Sequence, residues 1–271
     1  MKFIELFEKK VKQTIEKYKL TNKKEKIIVA CSGGKDSTTA LYLLNKFGYN
    51  TEALHIYLGI GKWSEKNLAN VKKICERLEV KLHIIPIKKE IGKTILEIRE
   101  NKCRICSINK RYLLNKKARE LGGKKLVMGH NLDDEAESIM MNLFKGNVEL
   151  GLGTGPKTGL LQDKKFVQRI KPLFFCRNEE TKKYAKLVKL PILIESCPCS
   201  TDVFRRKIRN WLNAMEKKDK KVKENVVHWF LARLPELRKR YTGKDELKYC
   251  ERCGEPSRRK ICKRCELMKL V

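Results

Sequence analysis

The sequence predicts an α/β protein with a doubly wound, mostly parallel sheet. Short apolar runs typical of buried strands alternate with stretches whose apolar residues recur every three or four positions, the spacing of one helix face. The first run, 27–30, leads directly into a glycine-containing turn and then a helix. Strands that alternate with helices form parallel sheets covered on both faces, with ligands at the carboxyl ends of the strands.

The elements follow in chain order. An amphipathic helix comes first, with one apolar face formed by Ile4, Phe7, Val11, Ile15 and Tyr18. We predict strands at 27–30, 51–57, 81–87, 125–128, 166–170 and 192–195. We predict helices at 38–47, from about 65, and at 107–121, 133–144 and 178–189. The predicted domains are an N-terminal helix at 1–24, the α/β domain at 25–200, a basic helical region at 201–247 and a metal-binding module at 248–271.

Charge indicates a polyanionic partner. The chain has 63 Lys and Arg residues against 32 Asp and Glu residues, a net charge of +31. The segment 203–271 is the more basic part, with 22 Lys and Arg against 9 Asp and Glu. Nucleic acid would relieve this self-repulsion. The alternative explanation is a heat-adapted or lysine-rich protein with a solvated charged surface. Apolar stretches are too short to span a membrane, and a secretory signal is lacking, so we expect a soluble cytoplasmic protein without membrane partners.

A candidate phosphate-binding loop lies between the first strand and its helix. It is formed by Ser32, Gly33, Gly34, Lys35, Asp36 and Ser37. The two glycines allow the backbone to approach an anion, and the helix amino terminus favours negative charge there. The spacing is not that of the P-loop that cleaves a γ-phosphate. A plain turn is the alternative.

A second candidate loop follows the strand at 125–128. Its sequence, Gly-His-Asn-Leu-Asp-Asp-Glu-Ala, occupies 129–136. Acidic residues at a helix start could be only caps that complement the helix dipole. The preceding Gly129 and His130 favour a turn that closely approaches a ligand.

Cysteines supply the metal candidates, because disulfides are rare in reducing compartments. Four of the eleven cysteines, Cys250, Cys253, Cys262 and Cys265, form two C-x2-C pairs that match a structural zinc site. A second iron site and free thiols are the alternatives. Elsewhere, Cys103 and Cys106 form a lone C-x2-C pair, which alone could be half a zinc site, a redox pair or nothing. Cys197 and Cys199 follow the last predicted strand.

The ordered combination of these motifs resembles the TtcA/TtuA family of tRNA 2-thiolation enzymes, within the PP-loop ATP pyrophosphatase superfamily. It is most similar to the TtuA/NcsA branch, from about residue 5 to the end. Besides the loops and cysteines, the resemblance includes Leu54-His55-Ile56 and Lys110-Arg111-Tyr112.

The resemblance implies an ATP-dependent uridine 2-sulfurtransferase. ATP and Mg²⁺ would bind at Ala30, Ser32, Gly33, Gly34, Lys35, Asp36, Ser37, His55, Ile56, Lys110, Gly129 and Asp134. Of these, Asp36, Lys110 and Asp134 would be catalytic. Cys103, Cys106 and Cys197 would hold a 4Fe-4S cluster with one iron left open for sulfide. Cys199 is either a spare thiol or a fourth ligand.

The resemblance also implies partners. These are tRNA, a sulfur source that is either a ubiquitin-like carrier protein or free sulfide, and a second copy in a homodimer. Relatives usually carry an amino-terminal zinc finger; this chain begins at the helix, so we expect that part of the tRNA contact to be missing.

Six basic residues around the C-terminal module, Arg252, Arg258, Arg259, Lys260, Lys263 and Arg264, would face RNA. We expect Trp211 and Trp229 to be core residues.

Two rival hypotheses differ in chemistry. A lysidine-synthetase-like ligase would keep the PP-loop and use the cysteines only structurally. A non-catalytic tRNA-binding partner subunit would show decay of the loop and cysteines, and both are intact.

Overall fold

A five-stranded, fully parallel sheet forms the centre of the protein. The computed structural model describes residues 2–158, 163–200, 203–241 and 248–268. The strand order is β3-β2-β1-β4-β5. The strands are β1 (Ile27–Ala30), β2 (Thr51–Tyr57), β3 (Leu82–Pro86), β4 (Lys125–Val127) and β5 (Gln168–Ile170). The predicted parallel α/β class is therefore confirmed.

Helices cover both faces of this sheet. Those among the described residues are α1 (Lys2–Lys17), α2 (Lys35–Lys46), α3 (Gly61–Arg77), α4 (Ile87–Ile91), α5 (Lys102–Glu120), α6 (Leu132–Phe144), α7 (Val148–Gly151), α8 (Asn178–Leu187), α9 (Val203–Lys218), α10 (Val222–Tyr241) and α11 (Lys263–Leu267). Side chains alternate along β1: Ile27 and Val29 pack towards α1, α2, α3 and α8, and Ile28 packs towards α4 and α5. This two-residue period is the one that strand geometry requires.

Three predicted elements differ from the structure in ways that affect the site. Helix α2 begins at Lys35 rather than at 38, so Lys35, Asp36 and Ser37 form its first turn. Helix α5 begins at Lys102, so Cys103 and Cys106 lie within its first turns rather than before it. The predicted strand 192–195 is reduced to one parallel bridge between Gly34 and Leu193, because its neighbour is the turn after β1 rather than a strand. The segment is thereby attached directly to the candidate phosphate loop.

A third apolar cluster joins α6, α9 and α10, with Ile208, Leu212 and Phe230 among its buried residues. The prediction that Trp211 and Trp229 are core residues is wrong, since they are 44% and 60% exposed. Each precedes a buried neighbour, Leu212 or Phe230, and one residue rotates a helix by about 100°. No helix within the described ranges has both the length and the apolar character needed to cross a membrane.

The C-terminal module is small. A two-stranded antiparallel ribbon of β6 (Lys248–Tyr249) and β7 (Pro256–Ser257) precedes α11. The predicted basic helical region includes residues 201–202 and 242–247, and the predicted module includes 269–271; these lie outside the described residues.

Candidate active site

The candidate phosphate loop is built by close backbone packing. Gly34 is the N-cap of α2, and no side chain caps this end. Gly33 has a φ of +85°, and a Cβ there would lie 2.6 Å from the backbone oxygen of Asn67. The Ser32 and Ser37 hydroxyls lie 3.1 Å apart. The loop therefore presents a helix amino terminus, two hydroxyls and Lys35, which together suit an anionic phosphate.

Asp36 lies between a cation and an amide. Its Oδ2 accepts from Lys35 Nζ at 2.5 Å, and its Oδ1 accepts from Asn131 Nδ2 at 3.1 Å. Burial raises the pKa of Asp36; Lys35 opposes this rise, and the negative charge of Asp134 adds to it. Two neighbouring carboxylates beside a phosphate loop suit a divalent cation, which prefers oxygen ligands.

The second candidate loop packs against the first. A Cβ at Gly129 would lie 2.7 Å from the backbone nitrogen of Ser37, so only glycine fits there. Asn131 caps α6 by accepting from the Asp134 backbone N–H at 3.1 Å, and Asp134 accepts from the Asn131 N–H at 3.3 Å. Asp134 therefore does cap helix α6, as the alternative explanation proposed. Its negative charge also raises the pKa of Asp36.

His130 lies on the exposed edge of this loop in a positive environment. Desolvation lowers its pKa to about 4; Asp134 opposes this decrease, while Lys171, Arg205 and Arg111 contribute to it. Half of the side-chain surface is still accessible, as expected for a group on the wall of a concave site. Two of these cations are already ion-paired, Lys171 with Glu135 and Arg205 with Glu137.

The predicted adenine residues lie at the carboxyl half of β2. His55 is buried, its Nδ1 lies 2.8 Å from the carbonyl oxygen of Cys31, and burial lowers its pKa. Ile56 is buried beside it, and Ala30 ends the neighbouring β1. The His55 side chain thus supports the strand end that leads into the phosphate loop.

Four cysteines converge at the start of α5. Burial raises the pKa of Cys106; Lys110 opposes the rise, and the thiols of Cys197, Cys103 and Cys199 add to it. The Cys103 thiol donates to the backbone oxygen of Cys199 at 2.9 Å. Ala30 and Met128, at the ends of β1 and β4, pack in the same apolar cluster as Cys106 and Cys197. The thiols therefore gather at the carboxyl edge of the sheet.

A short chain segment joins these thiols to the phosphate loop. The Leu193 backbone N–H donates to the carbonyl oxygen of Gly33 at 3.1 Å, and Cys197 follows four residues later. Four residues span at most about 14 Å. Cys197 therefore lies within about 14 Å of Leu193, the residue attached to the phosphate loop.

The four C-terminal cysteines form a compact set. The Sγ atoms of Cys250, Cys253, Cys262 and Cys265 all lie within 4.8 Å of one another. Four thiolates at this spacing could hold one tetrahedral ion.

This module is docked on α5. The Arg264 guanidinium lies 3.9 Å from the ring centroid of Tyr112, and its Nε donates to Asn109 Oδ1 at 2.9 Å. A second contact is the bidentate pair of Arg119 with Glu255 at 2.5 and 3.1 Å. The prediction that Arg264 faces RNA is therefore wrong, because the charge is used to fix the module against the domain.

Sequence reasoning also missed a buried ion pair under the second loop. Lys171 Nζ donates to Glu135 Oε1 at 2.6 Å, and both side chains are almost fully buried. Glu135 lies within the second motif, but no local pattern singles out Lys171, because the contact joins residues 36 positions apart.

This architecture, a glycine loop after the first strand of a parallel sheet with an acidic loop after β4, defines the class of PP-loop nucleotide-binding domains. The family model of the PP-loop domain matches residues 4–216. A tRNA-5-methyluridine(54) 2-sulfurtransferase of Pyrococcus horikoshii is 39% identical over 97% of this chain and 85% of that protein. Its counterpart from Thermotoga maritima is 34% identical over 99% and 89%.

Among solved structures, the U34-tRNA thiolase NcsA from Methanococcus maripaludis with its [4Fe-4S] cluster is similar. The TM-score is 0.84 at 30% identity, covering 99% of this chain and 88% of that one. The chain belongs to the family of PP-loop tRNA 2-sulfurtransferases.

Proposed function

We propose that this protein is an ATP-dependent tRNA uridine 2-sulfurtransferase. The proposal rests on one observation. A phosphate loop and a pocket of thiols lie at the same edge of the sheet, and the segment from Leu193 to Cys197 joins them. The similar proteins named for tRNA 2-thiolation support this assignment.

ATP binds with its pyrophosphate on residues 32–37 and its adenine near His55 and Ile56. The α2 amino terminus and Lys35 offset the charge that develops on the phosphoryl oxygens. Asp36 and Asp134 would hold Mg²⁺, because the two carboxylates are close enough for the charge of Asp134 to raise the pKa of Asp36. Gly129 allows the second loop to pack closely against the backbone of Asp36 and Ser37.

Cys103, Cys106 and Cys197 fit a [4Fe-4S] cluster by the chemistry of the donor set, because several soft thiols meet beside Lys110. We assign Cys199 outside the ligand set, because three cysteine ligands leave one iron of the cluster open for sulfide. When bound, such a cluster supplies sulfur to the activated base. Lys110 favours thiolates at Cys106 and Cys197, and we assign it a second role in stabilising the adenylated base.

The reaction balances without net electron transfer. The uridine C2 oxygen attacks the α-phosphate of ATP, and pyrophosphate leaves. Sulfide then attacks C2, the C2–O bond breaks, and AMP departs with the oxygen. The positive charge of Arg111 beside His130 would attract the tRNA backbone and the leaving AMP, whereas Lys171 and Arg205 are paired with Glu135 and Glu137.

The C-terminal module would hold Zn²⁺ on its four thiolates. All eleven cysteines are free, which favours the reducing cytoplasm as the compartment. We also propose a homodimer, with sulfur supplied by a ubiquitin-like carrier protein or by free sulfide.

The test is anaerobic reconstitution with iron and sulfide, followed by incubation with tRNA, ATP and Mg²⁺. Mass spectrometry of digested tRNA should detect a 2-thiouridine nucleoside, with one AMP formed for each. Lys35→Ala should abolish AMP formation. Lys46→Ala, at the exposed other end of α2, is the matched control and should retain it. AMP formation without any thiolated nucleoside, together with no iron–sulfur absorbance, would favour the lysidine-synthetase-like alternative.

A further inference from the structure

An apolar patch lies exposed where α6 ends beside α9. We define the aromatic patch as Leu143, Phe144, Trp211 and Met215. Leu143 and Phe144 are 60% and 59% exposed, and the ring centroids of Phe144 and Trp211 lie 6.2 Å apart in an edge-to-face arrangement. Large apolar side chains that are exposed together mark interaction sites.

Positive charge surrounds the aromatic patch. Helix α9 has six Lys and Arg residues and one Glu among its sixteen. Lys207, Trp211 and Met215 are spaced by four, so they share one side of the helix. Arg206, Lys217 and Lys218 are also exposed, whereas Arg209 is paired with Glu137 at 2.6 Å. Lys145, directly after Phe144, places its Nζ 4.7 Å from the ring centroid of Phe204.

The aromatic patch could be covered by a second copy of this chain or by a nucleic acid, and the surrounding charge favours the nucleic acid. A second copy of this chain would bring two strongly basic helices together, at a cost in repulsion. A nucleic acid would neutralise them, and bases stack on aromatic side chains next to basic residues. We propose that the aromatic patch binds an unpaired base of the tRNA, with the basic residues of α9 contacting its phosphates. This inference rests on the proposed function.

The position of the patch predicts which kinetic constant it affects. Helix α6 runs from the second loop to Phe144, and thirteen residues rise about 20 Å. The aromatic patch therefore contacts tRNA well away from the reacting uridine. Losing this contact should raise the KM for tRNA and leave kcat unchanged.

Binding is tested on the reconstituted full-length protein by filter retention of tRNA. Trp211→Ala should weaken affinity about 10-fold, within the range for one stacked base, and Trp211→Phe should restore most of it. Lys207→Glu should weaken affinity and reduce its salt dependence. The matched control is Leu6→Ala, an exposed apolar residue on α1, which should bind normally.

Fluorescence gives a second, direct signal, because the chain has three tryptophans. In the Trp63→Phe, Trp229→Phe protein, Trp211 is the only one left, and tRNA should quench its emission. Unchanged tRNA affinity of Trp211→Ala would overturn the inference while the proposed function stands. Loss of a dimer in that variant without loss of affinity would assign the patch to a second copy and also overturn it. If the wild-type protein fails to bind tRNA, the proposed function itself fails.

Discussion

The Arg264 guanidinium of the C-terminal module lies 3.9 Å from the ring centroid of Tyr112 on α5, the helix that also carries Cys103, Cys106 and Lys110. This contact and the hydrogen bond to Asn109 connect the four-cysteine module to the thiol pocket through a single helix. The module therefore stabilises the helix that carries the site residues, in addition to forming part of the protein surface.

Removing this contact should loosen the module. Arg264→Ala should lower the free energy of unfolding by about 2 kcal/mol, because a cation–π contact and a charge-assisted hydrogen bond are both lost. Denaturant unfolding of the reconstituted protein, with limited proteolysis at the module, measures this. Arg259→Ala, at an exposed position, should change neither. Equal stability of the two variants would show that docking through Arg264 is dispensable.

Lys223 fixes the basic helices to the second loop. Its Nζ contacts Asp133 Oδ1 at 2.5 Å and Glu216 Oε2 at 2.7 Å, and the side chain is 4% exposed. Lys223→Ala should destabilise the protein by about 3 kcal/mol, because Asp133 loses its buried counter-charge and Glu216 keeps only its ion pair with Arg177. Thermal unfolding checks this, with the exposed Lys217→Ala as control. A melting temperature unchanged in both variants would contradict the role of Lys223.

The Asp36 carboxylate should be needed for activity and should lower the stability of the folded protein at neutral pH. Burial raises its pKa, so the folded state disfavours the carboxylate, and its contribution to stability falls as pH rises from about 4. Asp36→Asn should therefore melt at a higher temperature than wild type at pH 7 and form no AMP. Mg²⁺ and ATP should stabilise wild type and not the variant. A less stable Asp36→Asn protein would show that the Lys35 ion pair outweighs burial.

Two metal sites should be separable. Cys253→Ser should lose the zinc, about one ion per chain, and retain its iron, because the module and the α5 pocket use different thiols. Cys106→Ala should lose iron and keep zinc. Elemental analysis of both anaerobically reconstituted variants decides this. Loss of both metals from either one would contradict the assignment of ligands.

Local signals predicted the sheet and its loops well. The apolar runs predicted β1, β2 and β4 correctly, because these strands are buried on both faces. The glycine-containing turn was predictable because Gly33 has a positive φ, a conformation that favours glycine. Contacts distant in sequence were not predictable. The Lys171–Glu135 pair and the docking of Arg264 on Tyr112 depend on how the finished elements pack.

The exposure of Trp211 and Trp229 was also mispredicted. Aromatic residues among aliphatic ones indicate a core only when the helix phase is known, and the buried phase of α9 is set by Ile208 and Leu212. The roles assigned to the predicted site residues remain predictions, although the structure brings the loop residues and the thiols of 103, 106 and 197 to one edge.

The most direct measurement is thiolation by Cys197→Ala protein, reconstituted anaerobically and supplied with tRNA, ATP and sulfide. Cys176→Ala, a buried cysteine outside the pocket, is the matched control, and Cys199→Ala tests the ligand set. We expect loss of both iron–sulfur absorbance and thiolated nucleoside in Cys197→Ala, with both retained in the other two variants. Undiminished thiolation by Cys197→Ala would contradict the account.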